Sequence, residues 1–246
     1  MSQLALSLEA DLSARHVSFI ETGRSSPSRA SLAVLADALD VPLRERNALF
    51  EAAGFARPHA VPDPSDSDVA GHRRLVEGVL LRHEPYFAVA IDRHWDVRLK
   101  NRAAARSLAR YEGTGAVPDG AVPNLARLLF HPEGLMTCLT NGPAVAAHFL
   151  DRLRRESFRN PMDDRLAALA EEMKGYTPPP HARAEQRESA LTLDLLIEGH
   201  RLRLLPAVLA FDTAGSVALE ELRVETFFPA DDTTKTLLEQ RGHGAA

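Results

Sequence analysis

The sequence is poor in cysteine, poor in tryptophan and free of any excess of positive charge, and each shortage excludes something. Cys138 is the single cysteine among 246 residues, so no internal disulfide can form. With no metal-ligand spacing around it, Cys138 reads as a small core residue. No apolar run approaches the ~18 residues that a membrane-spanning helix needs. The first residues carry no early positive charge, and Glu9 and Asp11 interrupt their apolar run, so no secretory leader is read there. These absences together predict a cytoplasmic protein with no membrane partner. The net charge of −5 excludes a surface coated for nucleic acid, so any DNA contact must come from a local patch.

Catalytic signatures are missing too. The sequence holds no Walker loop, no G-x-S-x-G, no H-E-x-x-H and no C-x-x-C. His72 and His83 are far apart, and His181 and His200 are isolated, so no metal or cofactor is expected. Asp92, His94 and Asp96 cluster in "DRHWD", and turn chemistry accounts for them better than catalysis. Asp163 and Asp164 read as the cap of the helix "DRLAALAEEMK".

What is present falls into two regions. The first is a run of short helices. Ser2–Ala10 is apolar at Leu4, Leu6 and Leu8. Ser13 is placed to cap a second helix carrying Val17 and Ile20, which Gly23 ends. Ser28 opens a third with Leu32, Leu35, Ala36 and Leu39 on one face. Pro42 begins a fourth, closed by Gly54. The stretch "FARPHAVPDPSDSD" has no periodicity and predicts a linker at 58–70 between an N-terminal domain (1–57) and a C-terminal one (71–246).

The second region opens with the amphipathic helix "RRLVEGVLLRHE". "PYFAVAIDRHWDVRLKN" then reads as two strands around a turn, and "RAAARSLARY" as a helix. Residues 124–175 are mostly helical. Three strands follow, separated by turns at Gly199 and Gly215. Five strands with helices gathered in the middle predict an α+β domain on an antiparallel sheet.

Residues 2–23 repay a closer look. A helix, a turn at Asp11-Leu12 and a second helix opened by Ser13 have the layout of a helix-turn-helix. Leu4, Leu8, Val17 and Ile20 are available to lock the two helices. Ala14, Arg15, His16 and Phe19 can be presented to bases, while Ser13, Arg24 and Ser26 can position the backbone. The segments "SQLA", "DLSARHVSFIETGR" and "LADALDVP" resemble the phage-repressor/Cro (xenobiotic-response-element) class of helix-turn-helix domains. That resemblance implies that Gln3 meets phosphate and that Ala14, Arg15 and Phe19 face bases, with Arg15 suited to guanine.

Likewise "LLRHEPYFAVAIDRHWDVRLKNRAA" and "FRNPMDDRLAAL" resemble the MmyB-like ligand-binding domain of bacterial transcription regulators. The resemblance implies a PAS-like fold, a fatty-acid-like ligand and a regulator of operator DNA. Palindromic operator logic adds a homodimer.

Two features complicate this picture. Domains of the class have a helix before "SQLA", which this sequence lacks, either because translation starts further upstream or because the gene encodes a truncated protein. Residues 1–57 also hold six arginines, no lysine and seven acids, a poor balance for phosphate neutralisation. If the gene encodes a truncated protein, the apolar faces of residues 4–20 lose a packing partner, and a loosely folded N-terminal domain with weak DNA binding is expected.

For the C-terminal domain the candidate ligand contacts are Tyr86, Trp95, Asn101, Arg155, Arg159, Phe211 and Phe228. On pattern alone Trp95 reads more readily as a core residue and Asn101 as a helix cap. Arg154, Arg155 and Arg159 read individually as solvated helix charge, although one cation in an apolar pocket would fix an acid head group. Leu209, Phe211, Phe227 and Phe228 face either core or pocket. Two alternatives stand beside the regulator: a ligand-binding or interaction module that has lost DNA binding, and a small-molecule enzyme using the C-terminal pocket.

Overall fold

The computed structural model describes residues 1–59, 67–160, 163–176, 191–211 and 221–243. His181, Gly215 and most of the expected linker lie outside these residues. Two compact units emerge, one within Met1–Ala70 and one formed by Gly71–Ala210 with Glu221–Ala246.

The N-terminal unit contains α1 (Gln3–Glu9), α2 (Ala14–Glu21), α3 (Arg29–Ala38) and α4 (Leu43–Ala52). Serines start the first three. The hydroxyls of Ser2, Ser13 and Ser28 accept hydrogen bonds from the backbone N–H of Ala5, His16 and Ser31, satisfying donors that a helix leaves free at its first turn. Gly23, at φ +69°, takes the left-handed conformation that ends α2 cheaply. The core is Leu6, Ala10, Val17, Leu32, Ala36 and Phe50.

The apolar pairing expected here is corrected. Leu4 and Leu8 are 63% and 76% exposed, whereas Leu6 and Ala10 are buried, as is Val17. Residues 4, 6 and 8 alternate, so an α-helix puts 6 and 10 on one face and 4 and 8 on another. Leu39, also expected on the buried face, is exposed as the C-cap of α3.

The C-terminal unit opens with α5 (Ser67–Arg82), β1 (Ala88–Ile91) and β2 (Val97–Lys100), followed by α6 (Arg102–Ala109) and α7 (Leu125–Phe130). A 3-10 turn (Leu135–Cys138), α8 (Gly142–Arg159) and α9 (Asp164–Tyr176) lead to β3 (Leu193–Ile197), β4 (His200–Ala210) and β5 (Arg223–Pro229). Among the described residues the sheet has five strands in the order β2-β1-β5-β4-β3, and every pairing between them is antiparallel. The β3–β4 hairpin turns through Glu198 and Gly199, both with positive φ, the geometry that suits a two-residue hairpin.

A last helix, α10 (Asp232–His243), was not anticipated. Asp231 caps it by accepting from the Thr234 N–H at 2.7 Å. The D-D-T-T sequence that starts it is the signal that could have revealed it.

Trp95 sits at the centre of the C-terminal unit. Its indole N–H donates to Glu156 Oε2 at 2.8 Å. The guanidiniums of Arg152 and Arg223 stand 5.0 and 4.8 Å from the ring. Arg152 and Arg223 both bond to Glu225, whose side chain is 0% exposed. Burial works against the charge on Arg152, but Glu225 and Glu156 outweigh it and hold the guanidinium above its ordinary pKa.

Candidate ligand-binding cavity and DNA-reading helix

Among the described residues, one face of the sheet borders a cavity. Successive inward positions, Leu193, Leu195 and Ile197 on β3 and Leu202 and Leu204 on β4, line a cavity of about 360 Å³ with Phe227 of β5. The period of two puts these side chains on one face. Opposite them stand Ala103 and Leu108 of α6, Leu125, Leu128 and Leu129 of α7, and Phe149 of α8. Most of these also belong to the hydrophobic core, so the cavity is an opening within that core. Its size falls in the range of small-molecule pockets, roughly 300–1,000 Å³.

Polar lining groups gather at the rim. Arg106 and Arg110 come from the end of α6, Glu198 from the β3–β4 turn and Arg241 from α10. Arg241 pairs with Glu198 at 3.0 Å. Tyr111 also lines the cavity, and its phenol oxygen is buried without a hydrogen-bond partner among the described residues. Burial, reinforced by the neighbouring Cys138, pushes its pKa up to about 12, against the opposing charge of Arg110.

None of the seven expected ligand contacts lines this cavity, and each has another setting. Trp95 is core. Asn101 is the cap of α6: its Oδ1 accepts from Ala104 N–H and Ala88 N–H, and its Nδ2 donates to the Tyr86 carbonyl. Tyr86 donates its hydroxyl to Glu239 at 3.0 Å. Arg155 pairs with Asp151 one helical turn away, and Arg159 is exposed at the end of α8. Phe228 packs edge-on to His83, with ring centroids 4.7 Å apart, and Phe211 follows the last residue of β4. The expectation favoured aromatic and polar residues. The lining is instead mostly aliphatic, and the signal for it was the alternation in "LTLDLLIEGHRLRLL".

"DRHWD" is a turn, as expected. Asp92 Oδ1 accepts from the backbone of His94 and Asp96, and Arg98 pairs with Asp92. Asp163 caps α9 through the Leu166 N–H. Burial alone would raise the Asp163 carboxyl. That bond, with Arg93 and His94 nearby, holds it below the ordinary value instead. Among the described residues, no group of three or more His, Cys, Asp or Glu is placed to hold a metal. No helix of the described residues is long and apolar enough to cross a membrane.

In the N-terminal unit, α2 presents Ala14 and Arg15 to solvent, and the Arg15 guanidinium lies 5.1 Å from the Phe19 ring. Gln3 donates to Glu21, tying α1 to α2. His16, expected among the base-facing residues, turns inward to Ser31 Oγ at 3.3 Å. The helical step from Arg15 carries it toward α3. Ser13 caps α2, and Arg24 is exposed just beyond it.

A helix-turn-helix bundle joined in one chain to an α+β domain with an apolar cavity defines a DNA-binding regulator that carries a ligand-binding domain. Residues 72–240 match the MmyB-like transcription regulator ligand binding domain, and residues 1–46 match a helix-turn-helix family. The chain belongs to the MmyB-like transcription regulators. Among curated proteins, none matches it.

Proposed function

We propose that the protein is a sequence-specific regulator that reads operator DNA with α2 and senses a fatty-acid-like molecule in the C-terminal cavity. In this reading Arg15 meets a base, Ala14 and Phe19 pack beside it, and Gln3, Ser13 and Arg24 position the backbone. The protein acts as a homodimer on a palindromic site. The observation that carries the ligand reading is the cavity itself: aliphatic along the sheet and helices, with cations only at its rim. A single apolar chain with an acidic end matches that division of surface.

The test is to extract protein purified from its native cells and identify what leaves it. A fatty-acid-like compound recovered unchanged from the natural protein, and lost from Ala103→Trp, is the expected result. Ala103 lines the cavity, and an indole there occupies the ligand's space. A compound with no apolar chain, or equal loading of the variant, contradicts the reading.

A second reading is favoured by one observation. Residues 1–57 carry more acids than arginines, which suits a module that senses a ligand without binding DNA. Salt-dependent binding to its own promoter separates the two.

A further inference from the structure

The rim of the cavity carries more positive charge than one carboxylate requires. Of the three arginines that line it among the described residues, Arg241 is paired with Glu198. Arg106 and Arg110 are exposed, and neither pairs with an acid among the described residues. They lie one helical turn apart, so their Cβ atoms are about 5–6 Å from each other. One guanidinium already satisfies a carboxylate through two parallel hydrogen bonds. Two neighbouring guanidiniums suit a group with more anionic oxygens and more charge, and a phosphate monoester brings three oxygens and about −1.5 to −2 charges. The helix dipole favours a cation at the end of α6, but it does not require that two of them edge an apolar cavity.

We propose that the natural ligand is a single-chain amphiphile with a phosphate-bearing head, its chain in the cavity and its phosphate held by Arg106 and Arg110. This rests on the reading of the cavity as a single-chain site and specifies the head group. The aliphatic lining takes up the chain, as it would for a fatty acid. The paired guanidiniums at the rim then select among head groups on that chain.

The experiment measures binding of dodecanol, dodecanoate and dodecyl phosphate to the full chain by calorimetry, with inorganic phosphate as a fourth probe. Dodecyl phosphate is expected to bind about tenfold tighter than dodecanoate, and inorganic phosphate alone not measurably. In Arg106→Gln/Arg110→Gln the preference for dodecyl phosphate over dodecanol should collapse. Dodecanoate binding as tightly as dodecyl phosphate, or a preference that survives in the double variant, overturns the inference and leaves the cavity reading intact. Failure of all three chains, dodecanol included, overturns the cavity reading and the inference with it. The coenzyme A thioester of dodecanoate, whose phosphates stand a long arm from the chain, distinguishes the source. Tighter binding than dodecyl phosphate assigns an acyl carrier, and weaker binding assigns a lipid head.

Discussion

Glu225 shows how much one buried charge can govern. It is fully buried between Arg152 and Arg223, and those two guanidiniums flank the indole of Trp95. Removing the carboxylate in Glu225→Ala leaves two guanidiniums with too few counter-charges in a dry setting. A loss of about 3–5 kcal/mol is expected, read from urea unfolding. Trp95 is the only tryptophan, so its fluorescence reports the C-terminal unit alone. A loss below about 1 kcal/mol would mean the network is solvated rather than sealed.

His83 gives the pH dependence at the same scale. Burial is the largest influence on it and lowers its pKa below 6.5, with the Phe227 carbonyl and Glu84 opposing. The unfolded chain therefore binds a proton more readily than the folded one as pH falls below 6.5. The stability contributed by neutral His83 is complete above that pH and is lost as pH falls toward the lowered folded value. His148 is lowered in the same sense, first by burial and then by Arg152 and Arg155. Between about pH 7.5 and about pH 5.5 the unfolding midpoint should drop. The drop should shrink in His83→Gln and shrink further in His83→Gln/His148→Gln. An unchanged drop in the double variant would remove both histidines from the account.

At the scale of elements, glycine and asparagine fix the joints that shape the cavity. A Cβ on Gly134 would stand 2.1 Å from the Leu128 carbonyl oxygen, on the helix that supplies Leu125, Leu128 and Leu129 to the lining. Gly134→Ala must therefore shift backbone, at a cost of about 1–3 kcal/mol. The same unfolding assay checks this, and a neutral result would contradict the tight approach. Asn124 works at the neighbouring joint: its Oδ1 caps α7 and its Nδ2 ties the helix to Asp96 and the His94 carbonyl.

Most of these elements were legible in the sequence. Serine caps, terminal glycines and period-two strands act locally, and they marked the helices of the N-terminal unit and all five strands. The cavity was legible only as a face. Leu193, Leu195, Leu202 and Leu204 alternate as inward residues, but whether a facing helix fills the space opposite them depends on three-dimensional packing. Trp95 and Asn101, both candidate ligand contacts, are engaged in internal hydrogen bonds, as buried polar groups generally are. On α1 the pattern points to Leu4 and Leu8, whereas the structure buries Leu6 and Ala10.

At the scale of the molecule, residues 1–57 carry no net positive charge with which to hold DNA, and α2 presents one arginine, Arg15, to solvent. Affinity for DNA should therefore be modest, with a shallow salt dependence set by few phosphate contacts. A ligand can change that affinity only if it binds the DNA-competent and DNA-incompetent states differently. The two units need not touch the ligand together; the cavity need only favour one state.

The most direct test is fluorescence anisotropy of the full chain on its own promoter DNA, across a salt series, with and without dodecyl phosphate or dodecanoate. The account predicts salt-dependent binding whose Kd is shifted by ligand in the natural protein and unshifted in Ala103→Trp. A ligand that occupies the cavity but leaves the Kd for DNA unchanged would contradict it.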